Sequence, residues 1–173
     1  MDIGIDAHAG DYFKKEKYSI GYNVNVSYKN ETKFYEDALF SRYGLSSNIN
    51  DRKLVVREVQ KGNYGENDVT LSGMFGLTLN VKKSKYNLNI LHLQNGTSTA
   101  GIFDYDKTDQ GTVFSGFQHN LEYGQRSFSN AIASGNHRFK DESLELGWAA
   151  STSLSSIDNP DIRFTRYEVR GDG

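Results

Sequence analysis

Between positions 18 and 28 every second residue is apolar or aromatic: Tyr18, Ile20, Tyr22, Val24, Val26 and Tyr28. The residues between them are Ser, Gly or Asn. Unbroken period 2 predicts a strand with one apolar face and one small polar face. About ten residues rising roughly 3.3 Å each, tilted near 45°, climb about 23 Å. That is the height of the apolar band of an outer-membrane β-barrel, with an aromatic residue at each interface. A long strand of a soluble β-sandwich would give the same pattern on this stretch alone.

The alternation recurs along the chain. Ile3, Ile5, Ala7 and Ala9 predict a strand ending near Tyr12 and Phe13, and Lys14-Lys15-Glu16-Lys17 predicts a charged turn into the strand just described. From about 36 to 67 the alternation dissolves into charged, Gly/Asn-punctuated sequence, which predicts a long loop. Compact soluble domains rarely carry such a loop, whereas barrels commonly do on their extracellular side. Val69, Leu71, Gly73, Phe75, Leu77, Leu79 and Val81 restore the pattern, and a basic turn at 82–85 leads to a return strand from Tyr86. Leu91 and Leu93 fall on the opposite parity to Leu88 and Ile90, and Asn95-Gly96 fits either a two-residue hairpin turn or, the favoured reading, a bulge in a strand running on to Tyr105. A polar loop is expected at 104–111. A strand then follows from Val113 to about Phe139, with a parity flip that predicts a bulge at Gly124. After a third charged turn at 140–143, Leu144, Leu146, Trp148, Ala150, Thr152 and Leu154 form the last clean strand, which Pro160 ends or kinks.

The expected fold is therefore all-β: about six antiparallel strands in up-and-down order, one domain over 1–173, with short turns on one side and longer connections on the other. Tyr18, Ile20, Tyr22, Val24, Val26 and Tyr28 should share a lipid-facing surface with Phe75, Leu77, Leu79, Leu146 and Trp148.

Composition sharpens this. Seventeen glycines with one proline suit long uninterrupted strands, since proline removes a ladder donor. A mean hydropathy of −0.65 does not discriminate, because barrel strands give lipid only every second residue. A net charge of −2 argues against a nucleic-acid partner. The absence of cysteine excludes disulfides and thiolate metal sites. No apolar run reaches the roughly 18 residues of a membrane helix. The opening MDIGIDAHAG has neither the basic nor the apolar region of a secretory signal; if the protein is exported, Met1 would be an added or internal start.

Catalytic patterns are absent: there is no P-loop, nucleophile elbow, zincin or dinucleotide fingerprint. No enzyme activity and no cofactor are expected. His8, His92, His119 and His137 are scattered, and His92 and His119 fall inside strands, where a place in the wall is the simpler reading than a metal site. Asp104, Asp106 and Asp109 resemble a calcium loop superficially, but the glycine comes at Gly111 and no bidentate Glu follows at the required place, so a solvated loop is the simpler reading. Glu122 and Glu145 lie mid-strand, and a polar pore wall accounts for Glu145 without catalysis. Asn30-Glu31-Thr32 and Asn95-Gly96-Thr97 match the glycosylation acceptor pattern, a frequent accident in Asn/Thr-rich strands. Tyr43, Tyr64, Phe103 and Tyr105 lie in or near the outer loops, and no substrate contact is assigned to them.

Three stretches carry a family resemblance. SGMFGLTLNVKKSKYNLNILHLQNGTSTAGIFDYD, then FQHNLEYGQRSFSNAIASGNHRF, then LGWAASTSLSSIDNPDIRFTRYE resemble the barrel of TonB-dependent outer-membrane receptors. The matching features are Ser72-Gly73 before a Lys-rich turn, Gln125-Arg126-Ser127, Ser134-Gly135 with His137, Trp148, and the segment from Asp158 to Arg163. The resemblance implies a bacterial outer-membrane receptor for energised uptake of a metal chelate, cofactor or oligosaccharide. Its partners would be outer-membrane lipid, the rest of the barrel and plug, and a TonB-type energy-coupling complex acting through an N-terminal part. Plug and coupling box are not recognisable here, so the expectation is a barrel-wall segment that is not autonomous. The alternative is a soluble β-sandwich or solenoid that binds carbohydrate through exposed tyrosines.

Overall fold

The computed structural model describes residues 2–46, 50, 52–109, 111–139 and 144–169. Six strands follow one another: β1 (Ile3–Lys14), β2 (Tyr18–Leu45), β3 (Leu54–Val81), β4 (Ser84–Asp109), β5 (Thr112–Phe139) and β6 (Leu144–Glu168). They form one open antiparallel meander in the order β1-β2-β3-β4-β5-β6. Strands of 25–28 residues far exceed the five or six typical of globular sheets.

Contacts divide the chain into two units. Unit 1 comprises Met1–Glu31, Asp68–Gly96 and Gln125–Asp158, and unit 2 comprises Thr32–Asn67, Thr97–Gly124 and Asn159–Gly173.

Unit 1 contains the short turns. Lys15 N donates to Tyr18 O (2.8 Å) across the three-residue turn between β1 and β2. Lys82 and Lys83 alone link β3 to β4, and Lys82 takes a positive φ of 52°, as tight hairpin turns require. The turn expected at 140–143 lies outside the described residues. Between β1 and β2 the register sets Ile5 against Tyr28, Ala7 against Val26, Ala9 against Val24 and Phe13 against Ile20. The Phe13 ring also stacks on Tyr22, with centroids 6.3 Å apart and planes 15° apart.

Unit 2 differs from the sequence expectation. Residues 36–45 and 54–67, expected as loop, are strand, so only 46–53 connects β2 to β3. Likewise β4 runs through the stretch expected as a polar loop, leaving residues 110 and 111 before β5. Within β2, Asp37 has a φ of 51° and its N–H bonds Asn63 Oδ1 (3.3 Å). Tyr35 before it and Phe40 after it both lie against the Tyr64 ring, although their parities differ. A bulge at Asp37 reconciles the two, and it explains why alternation fails there.

The bulges expected elsewhere are not found. Asn87 bonds Thr78 and Phe103 lies against Gly62, sixteen residues apart on both strands, so Asn95-Gly96 inserts nothing into β4. His92 meets Ser129 and Asp106 meets Ser115, fourteen residues apart on both strands, so β5 has no insertion at Gly124. The extra residue lies in β6. Gln125 bonds Asp158 and Ser115 O accepts from Val169 N, ten residues along β5 against eleven along β6. The inserted residue falls in the stretch holding Pro160, whose missing N–H a bulge accommodates. At Gly62 in unit 2 an added Cβ would sit 2.0 Å from Ile102 O, so only glycine permits that approach of β3 to β4.

Candidate functional site

In unit 2 each of five strands contributes a pair of residues two positions apart to a common cluster. These are Phe40 and Arg42 on β2, Glu58 and Gln60 on β3, Phe103 and Tyr105 on β4, Gln118 and Asn120 on β5, and Phe164 and Arg166 on β6. Two positions along a strand is one step on one face.

Phe103 and Tyr105 are 2% and 3% exposed, the only buried large hydrophobics among the described residues. Glu58 and Gln118 beside them are each 5% exposed. Glu58 Oε1 accepts from Arg166 Nη2 (2.6 Å) and from Gln60 Nε2 (2.6 Å). Arg166 Nε donates to Gln118 Oε1, whose amide donates to Asn120 Oδ1 (2.6 Å). The Arg166 guanidinium lies 4.9 Å over the Tyr105 ring. Glu58 is on β3 and Arg166 on β6, about 14 Å apart in a flat sheet at three strand spacings. Their contact spans that distance through the long Arg166 and Glu58 side chains, which cross β4 above Phe103 and Tyr105 and help bury those two rings.

Burial pushes the Glu58 carboxyl up. The hydrogen bond from Gln60, with the charge and bond of Arg166, outweighs it and leaves the group below its ordinary value. Phe40 meets Phe103 edge-on (5.5 Å, 83°), and Tyr35 and Phe40 both lie against Tyr64. Tyr64 donates to Glu66 Oε2 (2.9 Å), and burial with that carboxylate raises its phenol.

Beside this cluster is an open concavity of about 480 Å³ lined by Arg42, Gln60, Gln118, Phe164 and Arg166. A smaller one of about 200 Å³ lies by Phe40, Arg42, Glu58 and Gln60. Residues of the other parity, including Phe34, Lys61, Ile102, His119 and Leu121, line a wider groove of about 810 Å³.

Unit 1 holds the residues the sequence singled out. Gly76 would place a Cβ against Asn23, and Asn80 donates to Ser19 Oγ (3.1 Å). Even positions of β3 thus share a face with odd positions of β2, so Phe75, Leu77 and Leu79 share one with Tyr18, Ile20, Tyr22, Val24, Val26 and Tyr28. Thr78 bonds Asn87, which bonds Ser134, carrying the same parity across β4 and β5. Trp148 lies against Gly135 and donates Nε1–H to His137 Nε2 (3.1 Å), which puts it and Leu146 on the tyrosine face. Tyr18, Tyr22, Val26, Leu146 and Trp148 are all exposed. The reverse face carries the Asn/Ser/Thr ladder, but also Met74, Leu91, Leu93, Phe128 and Ile132.

The scattered candidates have ordinary surroundings. His92 Nδ1 lies 2.8 Å from Ser129 Oγ, and the His119 ring meets Tyr167 edge-on. His137 lies between Ser84, Tyr86 and Trp148, and His8 sits opposite Asn25. Glu145 forms an ion pair with Arg138 (3.8 Å), with both side chains more than half exposed. Asp106 accepts from Ser115 Oγ (2.5 Å) within a strand pair. No group of three His, Cys, Asp or Glu residues among the described residues could hold a metal ion.

Sequence reasoning passed over Arg42, Glu58, Gln60, Gln118 and Arg166. Three of them lay in supposed loop, and Arg166 lay beyond Pro160. The signal available was the repeated spacing of two in each strand. No protein-family model and no curated protein matches this chain.

Proposed function

We propose that the chain is a wall segment of a TonB-dependent receptor in the bacterial outer membrane, serving energised uptake of a metal chelate, cofactor or oligosaccharide. One observation carries the reading: in unit 1 a single sheet layer exposes tyrosines, Val, Leu and Trp148 on one face, while on the other Asn, Ser and Thr bond to one another, interspersed with Met74, Leu91, Leu93, Phe128 and Ile132. A soluble sandwich would bury the first face under a second sheet. Here all six strands belong to one sheet. Lipid satisfies such a face with no further protein, and a water-filled lumen suits the other. Trp148, Tyr86 and Phe139 beside the short turns are placed as an interfacial belt would be, with the Trp N–H bonded to His137. The segment supplies wall, with its neighbours closing the edges at β1 and β6, since unpaired strand edges are costly in hydrocarbon.

Photolabelling of the assembled receptor with a lipid-soluble carbene reagent tests this. Adducts are expected on Val24, Val26, Leu77 and Leu146 and not on Asn25, Thr78 or Ser151. Labelling of the Asn/Ser set, or none in membranes, refutes the reading and favours a soluble carbohydrate-binding module. Energised uptake is tested separately, by its loss in cells when a protonophore collapses the proton gradient.

A further inference from the structure

We propose that the concave face of unit 2 is a binding site for a carboxylated saccharide, with Arg42 as the group that takes the carboxylate. The inference stands on unit 2 alone and does not depend on what surrounds unit 1. It departs from the expectation that the segment is not autonomous, because β2, β3, β5 and β6 of this one chain supply the whole lining.

The first argument is charge. Arg42 and Arg166 both line the concavity, and Glu58 is the carboxylate beside them. Glu58 is committed to Arg166 and Gln60. Arg166 is committed in turn through two nitrogens and one face of its guanidinium. Arg42 acts on Glu58 through its charge, and the carboxylate's ion pair is with Arg166. The lining therefore has one cation in excess, on an exposed side chain whose planar fork matches a carboxylate.

The second argument is shape and polarity. Phe164, 58% exposed, offers a flat apolar surface of the kind that stacks on the C–H face of a pyranose. Gln60 on β3 and Gln118 on β5 put amides on the strands between Phe164 on β6 and Arg42 on β2, where sugar hydroxyls could both donate and accept. A volume of about 480 Å³ lies within the range of small-ligand sites. The third argument is rigidity. Gln60 and Gln118 are held by Glu58, Asn120 and Arg166, so the lining is largely ordered before a ligand arrives.

Calorimetric titration of the full chain in detergent tests the proposal. Trigalacturonate is the probe, neutral galactotriose the control and inorganic phosphate the competitor. Saturable binding of trigalacturonate is expected, with galactotriose at least about tenfold weaker. Arg42→Gln should weaken trigalacturonate by about tenfold or more while leaving galactotriose unchanged. Phe164→Ala should weaken both by roughly threefold to tenfold. Both side chains are exposed, so circular dichroism and Trp148 emission should match the parent chain. No saturable binding, equal affinity for the neutral trisaccharide, an Arg42→Gln variant that binds unchanged, or displacement by phosphate at equal concentration would each overturn the assignment. Photolabelling of unit 1 reads the membrane proposal independently, so failure of one leaves the other standing.

Discussion

Units 1 and 2 share the strands β2 to β6, yet they distribute polar and apolar groups in different ways. Unit 1 sorts the two chemistries by face, but incompletely: one face carries a ladder of hydrogen-bonded amides and hydroxyls together with Met74, Leu91, Leu93, Phe128 and Ile132, and the other exposes tyrosines and aliphatics together with the His92–Ser129 and Gln125–Asp158 pairs. Unit 2 gathers both on a single face, where Phe103 and Tyr105 lie beneath an arginine–carboxylate–glutamine cluster. Separated faces suit a layer between two solvents. A mixed concave face suits recognition, where apolar floor and directional polar groups act on one ligand.

The largest expected effect falls on unit 2. Phe103→Ala removes the most buried ring of the molecule and should cost about 3–5 kcal/mol. Amide hydrogen exchange should show the loss in 97–124 and spare 18–28. Loss of protection spread evenly over both units would erase the distinction between them. On the proposed barrel-wall reading, Val24→Arg would set a charge at mid-membrane and should cost about 2–4 kcal/mol in urea unfolding from bilayers. Asn25→Arg, one residue along and on the other face, should cost far less.

A smaller effect is expected at Trp148. Its indole N–H is bonded to His137, so Trp148→Phe should lose about 1 kcal/mol by the same measurement. Weakest is a pH effect confined to unit 2. Glu58 has a depressed carboxyl in the folded state, so the stability it adds is fully present above about pH 4.5. That stability is lost as pH falls through the lower folded value. Exchange protection around Tyr105 should fall in that window, and Glu58→Gln should abolish the dependence. A rise in protection on acidification would contradict the sign.

Unit 1 was legible in the sequence because nothing interrupts its pleat. Val24 and Leu77 fall on one face by counting alone, and charged residues mark the turns at 15–17 and 82–83. Unit 2 was not legible, for local reasons. Asp37 at positive φ shifts the parity of β2, so Tyr35 and Phe40 meet the same ring while seeming to alternate wrongly. An extra residue in β6 near Pro160 does the same for Phe164 and Arg166. Charged side chains at Arg42, Glu58 and Lys61 resemble a solvated loop when their partners, up to 108 positions away, cannot be seen. On β5 the large Phe128 and Ile132 lie on the ladder face while the tyrosine face holds Ala131 and Ala133. Apolar periodicity alone therefore assigns that strand the wrong way round.

The separation of faces in unit 1 is tested most directly by spin-label accessibility. The chain has no cysteine, so single nitroxides can be attached through Val24→Cys, Asn25→Cys, Leu77→Cys and Thr78→Cys in the assembled barrel. Labels at 24 and 77 should collide freely with oxygen dissolved in lipid and poorly with a water-soluble nickel chelate. Labels at 25 and 78 should show the reverse. Equal accessibility at neighbouring positions, or oxygen preference at 25 and 78, would contradict the account.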